Sequence, residues 1–289
     1  MTDWVLGVIG GSGLYEIDGL EDRRWTRVQT PFGDPSDDLL VGFIGGVKLV
    51  FLPRHGRGHR LSPTDLNFRA NIDALKRAGC TDVLSISAVG SLKEELPPGT
   101  FVVVDQFIDR TFARAKSFFG AGLAAHVSMA HPVCPRLSGL AAESARSAGA
   151  AVVEGGTYLV MEGPQFSTKA ESELYRSWGC DVIGMTNMPE AKLAREAEMP
   201  YATVAMVTDY DCWREDTAHV EVAEIIACLT ANAALAKTLV GNLAGRLTGP
   251  RPPSPIDTCL DQAIITAPDA RDPGMVRQLD AVAGRALRR

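Results

Sequence analysis

Short runs of Val, Ile and Leu recur along the chain, and between them lie longer stretches whose apolar residues return at every third or fourth position. The runs are too short for helices and are rich in the β-branched residues that favour extended backbone. They predict strands at Val5–Ile9, Val47–Leu52, Val83–Ser87, Phe101–Val104, Tyr158–Met161, Val182–Met185 and Ala202–Val207. The longer stretches predict helices at Pro63–Ala78, Pro135–Ala148, Thr168–Trp178, Pro189–Ala197 and Val220–Leu247. In the last of these, Val222, Ile225, Ile226, Leu229, Ala233 and Ala236 share one face, as in a helix packed along one side. Alternation of the two kinds of segment predicts an α/β fold: a single domain with a central mixed β-sheet flanked by helices. Gly249-Pro250-Arg251-Pro252-Pro253 ends the helical period. The predicted organisation is an α/β domain over residues 1–248 and a tail over 249–289. The tail packs back on the same domain through Leu260 to Ile265 and carries a short helix near Met275 to Leu287.

Composition narrows what such a domain does. A formal net charge of -6 argues against a nucleic-acid partner, because backbone affinity rests on clustered Lys and Arg. A small anion is not excluded, since it needs only a local positive pocket. Apolar runs such as Val5–Ile9 fall far short of the roughly 18 to 20 residues that span a bilayer, so no membrane partner is expected. Met1-Thr2-Asp3-Trp4 lacks the basic segment of a secretory signal, and the expected setting is cytoplasmic. Cys80, Cys134, Cys180, Cys212, Cys228 and Cys259 are scattered without a CxxC pair, which fits reduced thiols rather than a metal site or disulfide framework.

Ligands of open α/β sheets bind beyond the carboxyl ends of the strands, so the residues following each predicted strand carry the candidate chemistry. Gly10-Gly11-Ser12-Gly13 offers backbone amides to an anion, although a tight turn explains it as well. Pro53-Arg54-His55-Gly56-Arg57-Gly58-His59-Arg60 gathers cationic side chains between glycines, and Arg suits bidentate phosphate contact; a solvated basic loop is the plainer reading. Ala88-Val89-Gly90-Ser91 is again small. Thr186-Asn187-Met188-Pro189-Glu190 reads as a helix start, where capping and anion binding are compatible. Thr208-Asp209-Tyr210-Asp211 places two carboxylates two residues apart at a strand end, and burial there would let one hold a proton. No grouping has metal-ligand spacing, so no metal is expected. Together the loops predict a pocket that holds an anion at one side and protonates a ligand at the other.

The segments GVIGGSGLY, TPFGDPSD, LPRHGRGH, SAVGSL, VVVDQFIDRT, EGPQFSTKAE, GMTNMPEA and VTDYDCW, in this order over roughly residues 5 to 245, resemble the trimeric purine nucleoside phosphorylase and methylthioadenosine phosphorylase family. DQFIDRT and TDYDCW are those of the methylthioadenosine branch. The resemblance implies phosphorolysis of 5'-methylthioadenosine, no cofactor beyond inorganic phosphate as co-substrate, and a homotrimer. It implies phosphate contacts at Ser12, Arg54, His55, Ser87, Ala88 and Thr186. Met185 would lie under the ribose, Phe166 and Ser167 against the purine, and Thr208, Asp209 and Asp211 along its N6–N7 edge. Asp211 is the expected proton donor to N7 and Asp209 the partner of the 6-amino group. Val222, Ile225 and Ile226 would wall the methylthio group, unless they are simply core, with His59 and a neighbouring subunit's His126 near the 5' end. Thr168-Lys169-Ala170-Glu171 reads as a capping box, which leaves Ser167 free for the base. The chain departs from the pattern at Asn187, where Thr or Ser is common, and after about Pro268. Rival readings are a phosphorylase for inosine, methylthioinosine or adenosine, of which the 6-oxopurine type favours a neutral amide at the base edge; a hydrolytic nucleosidase, which needs no anion site; and a non-catalytic nucleoside-binding protein.

Overall fold

The computed structural model describes residues 3–11, 13–214 and 222–288, with the side chains of 222–226 outside that description. The first half of the chain runs β1 (Val5–Gly10), β2 (Glu21–Thr26), β3 (Leu39–Ile44), β4 (Val47–Pro53), α1 (Phe68–Arg77), β5 (Asp82–Ser91), β6 (Thr100–Val103), β7 (Gln106–Asp109) and α2 (Pro135–Ser147). It continues with β8 (Ala151–Glu154), β9 (Thr157–Val160), α3 (Lys169–Ser177), β10 (Val182–Gly184), α4 (Asn187–Glu196), β11 (Tyr201–Asp209), α5 (Val222–Arg246), α6 (Pro273–Gln278) and α7 (Gly284–Leu287).

Every predicted strand is present, and β2, β3, β7 and β8 are additional. β2 is almost wholly exposed and pairs only with β3, so it shows no apolar alternation. β3 and β4 form a hairpin through Gly45-Gly46, whose φ values of 56° and 82° only glycine adopts without strain. Helix α1 begins later than the predicted Pro63, because the Asn67 side chain accepts from the Ala70 amide and caps it there. The capping box at Thr168 and Glu171 forms as its spacing requires. The expected C-terminal helix is two, α6 and α7, separated by a turn.

The strands form one mixed sheet. β4, β1, β5 and β11 are parallel at its centre, β3 and β6 run antiparallel at the flanks, and β10 joins β5 antiparallel. The central strands are buried on both faces, which is why they read as unbroken apolar runs. Alternate residues feed two cores. Ile9, Val50, Leu52, Val83 and Ala205 pack toward α1, α4 and the tail. Leu6, Val8, Leu49, Phe51, Leu84 and Val204 pack toward α2 and α5.

The chain beyond α5 belongs to the first of these cores through Leu260, Ala263, Leu279, Val282 and Ala283. It is also tied by charge. Arg251 donates to the fully buried Asp82 and, at 2.7 Å, to Asp257, while Arg136 reaches Asp82 from the α2 side at 2.7 Å. Asp82→Ala would leave the buried Arg251 short of its counter-charge. We expect it to lower stability by about 3–5 kcal/mol, read from the urea denaturation midpoint. A loss below about 1 kcal/mol would show that the Asp82 cluster does not hold the tail, leaving its docking to the apolar contacts and to the Arg285–Glu198 and Arg77–Asp280 pairs.

Candidate active site

The sheet opens at β5. On one edge β11 stays in register with it from Val83 to Val89, and the register shifts at Thr208 so that Asp209 faces Gly90. On the other edge β1 ends opposite Ser85, and β10 joins only at Gly90. Residues 86–89 therefore have one edge without a strand partner, which makes a notch in the middle of the sheet. The predicted strand end at Ser87 is corrected accordingly: β5 runs on to Ser91, and it is the neighbouring strand that stops.

A buried polar network lines the notch. The Arg54 guanidinium, 2% exposed, is consumed inside the protein. Its Nε and Nη2 donate to Glu190 at 3.0 and 3.3 Å, Nη2 also to Ser85 Oγ at 2.6 Å, and Nη1 to Ile86 O at 3.0 Å. The expected free bidentate fork is thus absent; one Nη1 hydrogen remains uncommitted, and the charge is matched by Glu190. The rest of the basic run disperses as well. Arg57 pairs with Asp37 at 2.7 Å, and Arg60 donates to Ser36 O. His55 Nδ1 lies 2.9 Å from Leu61 O, and burial followed by the Arg54 charge pushes its pKa down to about 4. Its ring stacks on the exposed His59 at 4.3 Å.

Asn187 and Glu190 do not cap α4, as expected of a helix start; they point into the network. The Asn187 side chain is fully buried. Its Oδ1 accepts from Ser87 Oγ at 3.1 Å and Thr186 Oγ1 at 3.3 Å, and its Nδ2 donates to Tyr201 Oη at 2.8 Å and Thr203 Oγ1 at 2.5 Å. Tyr201 in turn donates to Glu190 at 2.8 Å. Tyr158 Oη comes within 3.5 Å of Ser87 Oγ, crossing β10 where a Cβ on Gly184 would meet it at 2.1 Å. Ala88 is exposed on the notch floor.

Three residues further along β5, the carboxylates gather. Asp209 Oδ2 lies 2.7 Å from Thr208 Oγ1, and its Oδ1 accepts from the Asp211 amide at 2.8 Å. A Cβ on Gly90 would lie 3.0 Å from that Oδ1, so glycine lets the carboxylate rest on the strand. Asp211, at φ 51°, turns back and accepts from the buried Ser172 hydroxyl at 2.5 Å. Burial pushes its pKa up; Ser172 opposes this and the Asp209 charge adds to it. Both carboxyls thus stand at one end of the notch, in unlike surroundings.

Between the two ends lie Met185, half-buried against Gly163, and Ser167, whose carbonyl accepts from Cys212 Sγ at 3.3 Å. Phe166 is 83% exposed. His126 is exposed, with its amide on Ala263 O at 2.8 Å, away from the network. Ser12 and the side chains of Val222, Ile225 and Ile226 lie outside the described residues. The brace behind the site, Arg114 and Glu162, carries no signal in the sequence pattern. Arg114 donates to Met185 O at 2.7 Å, Met188 O at 2.6 Å and Glu162 Oε1 at 3.0 Å. Burial works against ionisation of Glu162, yet donors from Phe112, Ala113, Thr64 and Arg114 hold it down to about 2. Tyr158, Ser172 and Tyr201 were equally silent, being ordinary residues inside apolar or amphipathic segments. Among the described residues no cluster of His, Cys, Asp or Glu could hold a metal ion.

The model of the Phosphorylase superfamily matches residues 5–244. The S-methyl-5'-thioadenosine phosphorylase of Cereibacter sphaeroides is 64% identical over 286 residues, 98% of this chain and 99% of its own. That of Bradyrhizobium diazoefficiens is 61% identical over 290 residues, covering 100% of both chains. A solved methylthioadenosine phosphorylase from an antarctic soil metagenomic library superposes with a TM-score of 0.92 at 44% identity, over 98% of this chain and 99% of that one. The methylthioadenosine phosphorylase of Schistosoma mansoni in complex with adenine gives 0.78 at 37% identity, over 84% and 91%. With a family model spanning its central sheet and relatives this similar from end to end, the chain belongs to the phosphorylase superfamily.

Proposed function

We propose that this chain catalyses phosphorolysis of 5'-methylthioadenosine, releasing adenine and 5-methylthioribose 1-phosphate. One observation carries the reading: unlike polar ends face the same notch. The Ser87 and Thr186 hydroxyls stand at one end and the Asp209–Asp211 pair at the other, three residues or about 10 Å along β5. That span suits a nucleoside with phosphate at its sugar and an acid at its base. The reading agrees with the relatives from Cereibacter sphaeroides and the antarctic soil library, both methylthioadenosine phosphorylases.

As the C1'–N9 bond lengthens, the sugar becomes cationic and the purine electron-rich. A phosphate oxygen forms the new bond to C1' from the opposite face, and the proton on Asp211 passes to N7. The raised Asp211 carboxyl is suited to hold that proton. Asp209, fixed by Thr208 and the Asp211 amide, serves as acceptor for the 6-amino group. Ser12, Arg54, His55, Ser87, Ala88 and Thr186 are assigned to the phosphate, Arg54 chiefly through the network it anchors. Met185, Phe166, Ser167, Val222, Ile225, Ile226 and His59 are assigned to the nucleoside. The assembly we assign is a homotrimer in the cytoplasm, without a further cofactor, in which His126 serves a neighbouring site; the exposed Phe112, at 81%, gives that neighbour an apolar contact.

Incubation with methylthioadenosine, adenosine, methylthioinosine and inosine, each with and without phosphate, tests the reading. Adenine release that requires phosphate is expected, and release in its absence would overturn it. Asp211→Asn is expected to lower turnover by roughly 10²–10⁴-fold with an unchanged circular dichroism spectrum. In the unaltered protein, turnover should fall as pH rises through the raised Asp211 value, because only the protonated carboxyl donates. Gly184→Ala would push Tyr158 off the hydroxyl pair, raising the phosphate KM about tenfold while leaving the nucleoside KM near its original value.

A further inference from the structure

Away from the notch, at the other end of β5, a cavity of about 220 Å³ lies between the end of α1, the turn that enters β5 and the chain beyond α5. Thr81 is on its wall, and Ser87 stands six residues or about 20 Å further along the strand. An engineered cavity of about 150 Å³ holds benzene, so this one has room for about nine non-hydrogen atoms. A nucleotide is too large for it.

The charges on its wall are matched except for one. Glu198 accepts from Arg285 at 2.5 and 2.7 Å and from the Leu260 amide at 3.0 Å. Asp257 accepts from Arg251 at 2.7 and 2.9 Å and from the Ser254 amide at 2.7 Å. Both carboxylates are thereby engaged through both oxygens. Lys76, half-buried in the last turn of α1, has no hydrogen bond or ion pair among the described residues. Burial pushes its pKa down and the Arg285 charge adds to the fall, while Glu198 and Asp257 pull against it from beyond bonding distance. Arg285 Nη1, on the same wall, is buried without an acceptor among the described residues. Cys80 and Val282 supply apolar surface, and burial pushes the Cys80 thiol up to about 12, so it is uncharged at pH 7.

We propose that this cavity binds a short-chain monocarboxylate, its carboxylate paired with Lys76 and its chain against Cys80 and Val282. A single uncommitted charge suits a monoanion. A phosphate monoester would bring a second negative charge, which Arg251 and Arg285, already paired, leave unmatched. The ligand joins α1 to the chain beyond α5, so its binding stabilises the docked tail without entering the notch.

Heptanoate, a monocarboxylate of about that size, is the probe, and heptanamide is its uncharged counterpart. Isothermal titration of the whole protein at pH 7 and constant ionic strength should give saturable heptanoate binding with a Kd of about 1 mM, as expected of so small a ligand. Heptanamide should bind at least about tenfold more weakly. Lys76→Met removes no hydrogen bond; it should weaken heptanoate binding by about tenfold or more and leave the kinetic constants for phosphate and methylthioadenosine unchanged. Heptanoate should raise the Tm of the unaltered protein and not that of the variant. Equal binding of acid and amide, an undiminished affinity in Lys76→Met, or no heat at about tenfold the expected Kd overturns the proposal. So does displacement of heptanoate by phosphate or methylthioadenosine, which would put it in the notch. If the variant fails to fold, the comparison of acid with amide on the unaltered protein decides. None of these outcomes depends on which reaction the notch performs.

Discussion

The ion pair between Arg54 and Glu190 joins the end of β4 to the first turn of α4 through the centre of the sheet. Neither group meets water, so both are satisfied only if Ser85, Ile86, Tyr201 and the flanking backbone take up fixed positions. A buried pair of this kind contributes little net stability compared with apolar packing, because two charges must be desolvated. What it contributes is direction. A carboxylate has only lone pairs, and every donor arranged around it inherits an orientation from that fact.

The notch exists because β5 outlasts β1 and changes partner. Along its first residues it is an interior parallel strand, and at Gly90 it becomes the antiparallel neighbour of β10. Between those registers the backbone edge is free, and side chains from β10, α4 and the β4 loop come to it. Two glycines make room for the groups that meet there: Gly184 for the Tyr158 hydroxyl and Gly90 for the Asp209 carboxylate. The site is thus built from strand geometry, with Arg114 and Glu162 fastening the loops after β9 and β10 behind it.

The central strands were legible in the sequence because they are buried on both faces and so read as plain apolar runs. The outer strands were not, since β2 is polar and β7 and β8, short and only partly buried, show no plain apolar run. β3 could have been read from the Gly45-Gly46 turn. Within the site, Asp209, Asp211, Ser87 and Thr186 were legible by position, as polar residues where apolar runs end. Their bonding was not. Arg54 looked available to a ligand and is turned inward; Asn187 and Glu190 looked like a helix cap and are core. Such assignments depend on partners as distant as the 136 residues between Arg54 and Glu190, which no local pattern encodes.

The contact of Arg251 with Asp82 spans 169 residues. A ribosome adding about 5–20 residues per second completes the sheet's central strands well before it supplies that arginine. Until then the nascent chain carries Asp82 with only Arg136 beside it, and the face that Leu260, Leu279 and Val282 will cover is bare. The notch and this bare face therefore mature at different moments, the second waiting until residues 251–283 have been made.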